Sequence, residues 1–258
     1  MKTALKIAGV LLVALVVVVG VTVVRVRSQL PVATGARVEV EPVATGVLAA
    51  PSYAWIVKTE HGAFLVDAGL DPKAEEILAE LKLQGIAPEA VHTILLTHAH
   101  DDHWGGASAF PRAKVMVGPG DAAVIRGERH AVPRPVESVM RALMDPRPPM
   151  PATLVELKGD EALDLDGVKV LTISIPGHTL GSMAYLVGDV LFTGDSLMAR
   201  PDGTLDLGPR LFCEDAEQNR RSLEKLKLVS FSRIADGHAG VTVDAKTRLE
   251  AFLGHPRS

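Results

Sequence analysis

Thr97-His98-Ala99-His100-Asp101-Asp102-His103-Trp104-Gly105-Gly106 decides how this chain reads. It follows directly on Val91-His92-Thr93-Ile94-Leu95-Leu96, a short apolar run of the kind that forms a buried strand. Three imidazoles and two carboxylates therefore fall within six positions, where a strand ends and the chain turns. His98 and His100, two apart in extended backbone, project to the same side. Asp102 and His103 lie one turn further along and face a neighbouring point. Neutral imidazole and carboxylate are the ligands that zinc and ferrous iron take. The two glycines leave room for a ligand or a backbone to come close. An exposed polar loop is the bland alternative, but it gives no reason for H-x-H-x-D-H between a buried strand and Gly-Gly.

Three more polar positions stand at the ends of apolar runs. Leu171–Gly177 ends in His178, Val190–Gly194 in Asp195, and Arg233–Gly237 in His238. Each has a strand end, a glycine, and then a residue able to ligate. Any one alone reads as a hydrogen-bonded turn residue. Together with the 98–103 cluster they supply the missing coordination number.

The rest of the chain supplies an α/β frame. Strands are expected at Val38–Val43, Tyr53–Lys58, Ala63–Val66, Val91–Leu96, Lys114–Val117, Leu154–Leu157, Val168–Ile175, Met183–Val187, Val190–Phe192 and 233–235. Asp71-Pro72 reads as the start of a helix with an apolar face of Ile77, Leu78 and Leu81, ended by Gly85. Further helices are expected from Asp121, over Asp215–Leu228, and over Asp244–Leu253. Residues 126–152 hold six prolines and read as a loop–helix–loop insertion. Strands mixed with helices in this order indicate two packed sheets or one large one.

THAHDDHWGG, PGHTLGS, FTGDSL and DGH resemble, in this order, the successive motifs of the metallo-β-lactamase-fold hydrolases. Phe64-Leu65-Val66-Asp67-Ala68-Gly69 resembles that superfamily's first motif. The resemblance implies an αββα sandwich with metals in a cleft at one edge of the two sheets. Carried over by position, it implies that His98, His100 and His178 hold one ion, and that Asp102, His103 and His238 hold a second. Asp195 would bridge them, while Asp67 would orient the metal-binding loop by hydrogen bonds without ligating. The implied cofactors are two divalent ions, zinc first, with iron or manganese as alternatives. Asp102 and Asp195 are the expected catalytic acids.

The implied reaction is hydrolysis of a small ester or lactone by an ion-activated water. True β-lactamases of this fold usually carry Cys or Ser where this chain has Asp195. Glyoxalase II shares the bridging Asp but uses a C-terminal helical domain, and only twenty residues follow His238 here. Iron-dependent persulfide dioxygenases share several of the ligand positions. A binding module that kept the fold without activity is disfavoured, because all seven positions are filled. His130, Met140 and Met144, within the Pro-rich insertion, are candidates to line a substrate pocket. Tyr185, Met183 and Cys213 read as core.

The chain has 258 residues and a net charge of −4, and a single cysteine excludes a disulfide framework. Lys2, Lys6, Arg25 and Arg27 lie in the first thirty residues, which hold no acid. The remainder carries 23 bases against 31 acids, a balance of −8. No general pull on phosphate backbones follows, and nucleic acid is not an expected partner. Ile7–Val24 is eighteen residues without a charge. As a helix it spans roughly 27 Å, close to the hydrocarbon thickness of a bilayer. Residues 1–27 therefore read as an uncleaved signal anchor, a transmembrane helix, rather than a cleaved leader. Residues 28–37 read as a linker and 38–258 as the catalytic domain. That domain is expected to be extracytoplasmic and to act on a small molecule.

Overall fold

The central strands are apolar on both faces, and this dictates four layers. In β3 (Ser52–Lys58), Tyr53, Trp55 and Val57 point one way and Ala54 and Ile56 the other, all buried. A strand with two apolar sides has to be covered twice. β4 (Ala63–Val66), β10 (Met183–Val187) and β11 (Val190–Gly194) repeat the pattern. The computed structural model describes residues 33–131 and 147–254, and in it these strands form the middle of an αββα sandwich.

One sheet runs in sequence order: β1 (Arg37–Val40), β2 (Ala44–Ala49), β3, β4, β5 (Val91–Leu95), β6 (Lys114–Val117) and β7 (Leu154–Glu156). Its first four strands are antiparallel, and the pairs from β4 to β7 are parallel. The other has the order β15 (Val241–Thr242), β14 (Arg233–Asp236), β11, β10, β9 (Val168–Ser174), β8 (Glu161–Leu165). There only β11 and β14 pair in parallel. Parallel neighbours need crossovers. These carry α1 (Glu75–Leu83), α2 (Asp101–Trp104) and α3 (Asp121–Arg126) on the first sheet and α4 (Ala216–Ser222) on the second. The last helix, α5 (Ala245–Gly254), packs on the second sheet through Leu249 and Leu253.

Between the sheets lie Tyr53, Trp55, Phe64, Val66, Met183, Tyr185 and Phe192. Trp55 stacks on Tyr53 at 5.4 Å between ring centroids and meets Phe192 edge-on at 5.8 Å. β4 and β5 are parallel, so their carboxyl ends share one edge of the first sheet. β9 and β11 are each antiparallel to β10, and β14 is parallel to β11, so these three end together on the second sheet. Every candidate ligand follows one of these five ends.

Several local expectations are corrected. The run 38–43 is not one strand: β1 stops at Val40 and the chain returns in β2. Gly46 masks β2 in the sequence; a Cβ there would lie 2.4 Å from the Trp55 ring. β8 and the small hairpin β12 (Met198–Ala199) and β13 (Leu205–Asp206) also lie outside the expected strands, because short or edge strands carry little apolar signal. The helix expected at Asp71 starts at Glu75, after Ala74 in the left-handed region. Asp71 instead closes the preceding turn, accepting from the Lys73 and Glu75 amides at 3.0 Å each. The expected helix 215–228 is α4 capped by Asp215, continued as a 3-10 turn over Leu223–Leu228. The signal anchor, most of the 28–37 linker, and Met140 and Met144 lie outside the described residues. Among the described residues no helix is long and apolar enough to cross a membrane.

Removing the Trp55 ring opens the layer between the sheets. Trp55→Ala is expected to cost about 3–5 kcal/mol in urea unfolding.

Candidate metal centre

The backbone at the strand ends is held in shapes that aim side chains inward. Asp67, just past β4, is buried with φ of 60°. Its carboxylate accepts from the Thr97 amide at 2.8 Å and the Thr97 hydroxyl at 2.7 Å, and takes the Nδ1 proton of His103 at 2.8 Å. Those bonds pin the 97–103 segment to the end of β4. Gly194 has φ of +51°, and a Cβ there would lie 2.3 Å from Thr97 Oγ1. This close approach carries Asp195 from the second sheet to the histidines of the first. The buried carboxylate of Asp236 accepts from the amides of His238 at 2.9 Å and Ala199 at 3.1 Å, which fixes the turn that presents His238.

Two sets of donor atoms converge. His100 Nδ1 lies 3.0 Å from His98 Nε2 and 3.1 Å from His178 Nε2. Asp102 Oδ2 lies 3.6 Å from both His103 Nε2 and His238 Nε2. Asp195 reaches both sets. Its Oδ1 is 3.3 Å from His103 Nε2, and its Oδ2 is 3.1 Å from His238 Nε2 and 3.8 Å from His178 Nε2. Donors on a tetrahedral ion with bonds of about 2.0–2.1 Å stand about 3.3 Å apart, so the spacing suits one divalent ion in each set.

The tautomers point the same way. His98 Nδ1 donates to Thr97 Oγ1 at 3.1 Å, whose own proton is given to Asp67. His238 Nδ1 donates to the Pro51 carbonyl at 2.9 Å, and His178 Nδ1 meets Cys213 Sγ at 3.3 Å. With His103 bonded to Asp67, four imidazoles have Nδ1 engaged outward and turn Nε2 to the centre. His103 Nε2 and Asp195 Oδ1 are buried there with no hydrogen-bond partner among the described residues. Gly237 faces the same space: a Cβ would lie 2.3 Å from Asp195 Oδ1 and 2.8 Å from His103 Cε1. Orphaned donor atoms lined by a mandatory glycine are what a cation site requires.

The charge balance differs between the sets. Burial, then the neighbouring imidazoles, hold His98 and His178 well below the usual range, and burial lowers His100. These three are neutral, which is the ligating form. Burial also pushes His103 and His238 down, but carboxylates outweigh it. Asp102, Asp195 and Asp67 hold His103 well above its ordinary value, and Asp195 and Asp102 bring His238 to about 9. Burial raises Asp195, yet His238 and His103 hold it well below the carboxylate range. This second set calls for positive charge, which protons or a divalent ion can supply.

The structure thus brings His98, His100, Asp102, His103, His178, Asp195 and His238 together, with Asp67 behind them. His130 is exposed and is not part of the convergent set. Three contributors escape a reading of the sequence as functional groups. Cys213 reads as core, yet it meets His178. Asp236 stands in the run that singles out His238. Asp121 follows β6 after Val117-Gly118-Pro119-Gly120, the same strand-end signature, and reads there only as a helix start. Tyr185 is core, as expected, and also carries a polar bond, since its hydroxyl donates to the Leu96 carbonyl at 2.6 Å.

Two outcomes are expected. Gly237→Ala pushes a methyl into the donor set, and elemental analysis should find bound divalent metal reduced at unchanged far-UV circular dichroism. Burial pushes the Asp121 carboxyl up to about 6. A proton held more tightly in the folded than in the unfolded chain stabilises the fold where it is bound. The contribution is therefore complete below the ordinary carboxyl value of 3.8 and is lost as the pH rises through about 6. Relative to Asp121→Asn, which does not titrate, the metal-free protein should lose roughly 3 kcal/mol in urea unfolding between about pH 4 and pH 7.

Comparison with known proteins agrees with this fold. The hydroxyacylglutathione hydrolase of Albidiferax ferrireducens is 32% identical over 193 residues, 72% of this chain and 62% of the relative. That of Shewanella pealeana is 31% identical over 182 residues, 68% of this chain and 57% of the relative. The chain spans less than two thirds of the length of these curated relatives. Among solved structures, a metallo-beta-lactamase family protein from Thermus thermophilus superposes with a TM-score of 0.62 at 24% identity, covering 88% of this chain and 77% of that one. An archaeal superfamily protein from Sulfolobus tokodaii gives 0.59 at 23% identity, covering 79% of each. Residues 48–238 match the family described as Lactamase_B, and the chain belongs to the metallo-beta-lactamase superfamily.

Proposed function

We propose that the chain is a binuclear metallo-hydrolase of small acyl substrates, esters and lactones first. The observation that carries this is the reach of one carboxylate, Asp195, into both donor sets. His98, His100 and His178 would hold one ion, and Asp102, His103 and His238 the other, with Asp195 shared. Zinc suits this nitrogen-rich, thiolate-free set, with iron and manganese as alternatives. Such a pair, when bound, acidifies a water toward a pKa of about 7 and polarises the oxygen of the scissile group.

The protein's own groups do the rest. The Asp102 side chain is 23% exposed against 9% for Asp195, so it is the acid that meets incoming substrate. It is suited to take a proton from the attacking water and pass it to the leaving group. Phe212, half-buried, stands edge-on to the His100 ring at 6.5 Å, and Leu180 is exposed two residues beyond His178. An apolar rim favours an uncharged acyl group over a phosphodiester. Arg129 is engaged by Asp121 and Glu214 and so is not offered to phosphate.

A thioester is the second reading, and the names of the curated relatives favour it. The membrane anchor and an extracytoplasmic site remain part of the proposal through the charge-free run Ile7–Val24. The test measures metal content and turnover of lactones, esters, thioesters, phosphodiesters and β-lactams by the purified chain. Two zinc ions per chain with ester, lactone or thioester turnover are expected, and Asp195→Ala should lower that turnover by at least about 100-fold. Unchanged turnover in Asp195→Ala would remove the two-ion mechanism. A single iron with oxygen-dependent persulfide consumption would replace the hydrolase reading with a dioxygenase.

A further inference from the structure

Asp121 is fully buried at the start of α3, away from the convergent donors, and the proposed hydrolysis assigns it no part. Its carboxylate nevertheless ends on the two loops that carry the His98/His100/His178 set. Oδ2 accepts from the Ala99 amide at 2.9 Å, the residue between His98 and His100. The same oxygen accepts from the Thr179 hydroxyl at 2.6 Å, the residue after His178. Oδ1 accepts from the Gly181 amide at 2.9 Å and from Arg129 at 3.3 Å. The approach is close enough to require glycine on both sides. A Cβ at Gly181 would lie 2.6 Å from Asp121 Cγ, and one at Gly118 would lie 1.9 Å from the Gly181 carbonyl.

The 179–181 loop is held from its other side as well. Glu214 accepts from the Leu180 amide at 2.9 Å, and Arg129 bonds both Glu214 and Asp121. Two carboxylates thus grip successive groups of one short loop, and a guanidinium joins them. The Asp102/His103/His238 set has supports of its own: Asp67 holds His103, and Asp236 holds the His238 and Ala239 amides.

We propose that Asp121 is a positioning residue for one half of the centre: it sets the distance between the His98–His100 loop and the His178 loop, and so the ion affinity of that half alone. Ala99 and His98 come from the first sheet and Thr179 and His178 from the second, so the carboxylate acts as a tie across the sandwich. The inference rests on the metal-centre reading, and its readout is binding of cobalt(II) alone, which needs no substrate.

The experiment compares Asp121→Asn in two backgrounds. In His238→Ala the remaining high-affinity ion lies in the His98/His100/His178 set, and in His100→Ala it lies in the other set. Titration with cobalt(II), followed by its visible absorption, should show Asp121→Asn weakening binding 10–100-fold in the first background. In the second background the change should stay below about threefold. Equal losses in both backgrounds would mark Asp121 as a general fold element and overturn the inference, and so would no loss in either. If Asp121→Asn does not fold, Thr179→Val removes one of its bonds and decides by the same comparison at smaller size. A wild-type chain that binds no cobalt would overturn the metal-centre reading and this inference with it.

Discussion

A carboxylate buried among imidazoles is the constraint around which this protein is organised. Asp195 is almost without solvent, and its charge is tenable only because the imidazoles of His103 and His238 face its two oxygens. Remove that compensation and a buried charge is left against an apolar sandwich. The strand ends, the glycines and the outward-tied imidazole protons all serve to keep donors close to it. The same need explains why the site has a layer of acids behind it. Asp67, Asp121 and Asp236 each accept several backbone or side-chain protons and so hold a loop without consuming an inward-facing donor.

The donors divide in an informative way between the sheets. His98, His100, Asp102 and His103 follow β5, whereas His178, Asp195 and His238 follow strands of the second sheet. Each set draws on both, with His178 completing one and His238 the other. Neither sheet alone carries a usable set.

What the sequence reveals follows from this division. Metal chemistry accepts few residue types, so His98, His100, Asp102 and His103 stand out beside any buried strand, and His178, Asp195 and His238 stand out after glycine. Asp121 carries the same signature without standing out, because the loop groups it holds, at Ala99, Thr179 and Gly181, lie 22, 58 and 60 residues away and no local pattern announces them. Cys213 lies 35 residues from His178 and resembles any core thiol. β2 is illegible for a packing reason, since the glycine that makes room for Trp55 also erases the strand's apolar signal. Long-range fit, which decides these cases, leaves no periodic trace in the chain.

The aromatic layer of Trp55, Tyr53 and Phe192 acquires a second meaning from the geometry of the strand ends. It is the spacer between two plates whose rims carry complementary halves of one reactive centre. Changing its thickness detunes the chemistry even where folding survives. Greasy interior positions that never see a reactant therefore help to set the spacing between the donors of the two rims.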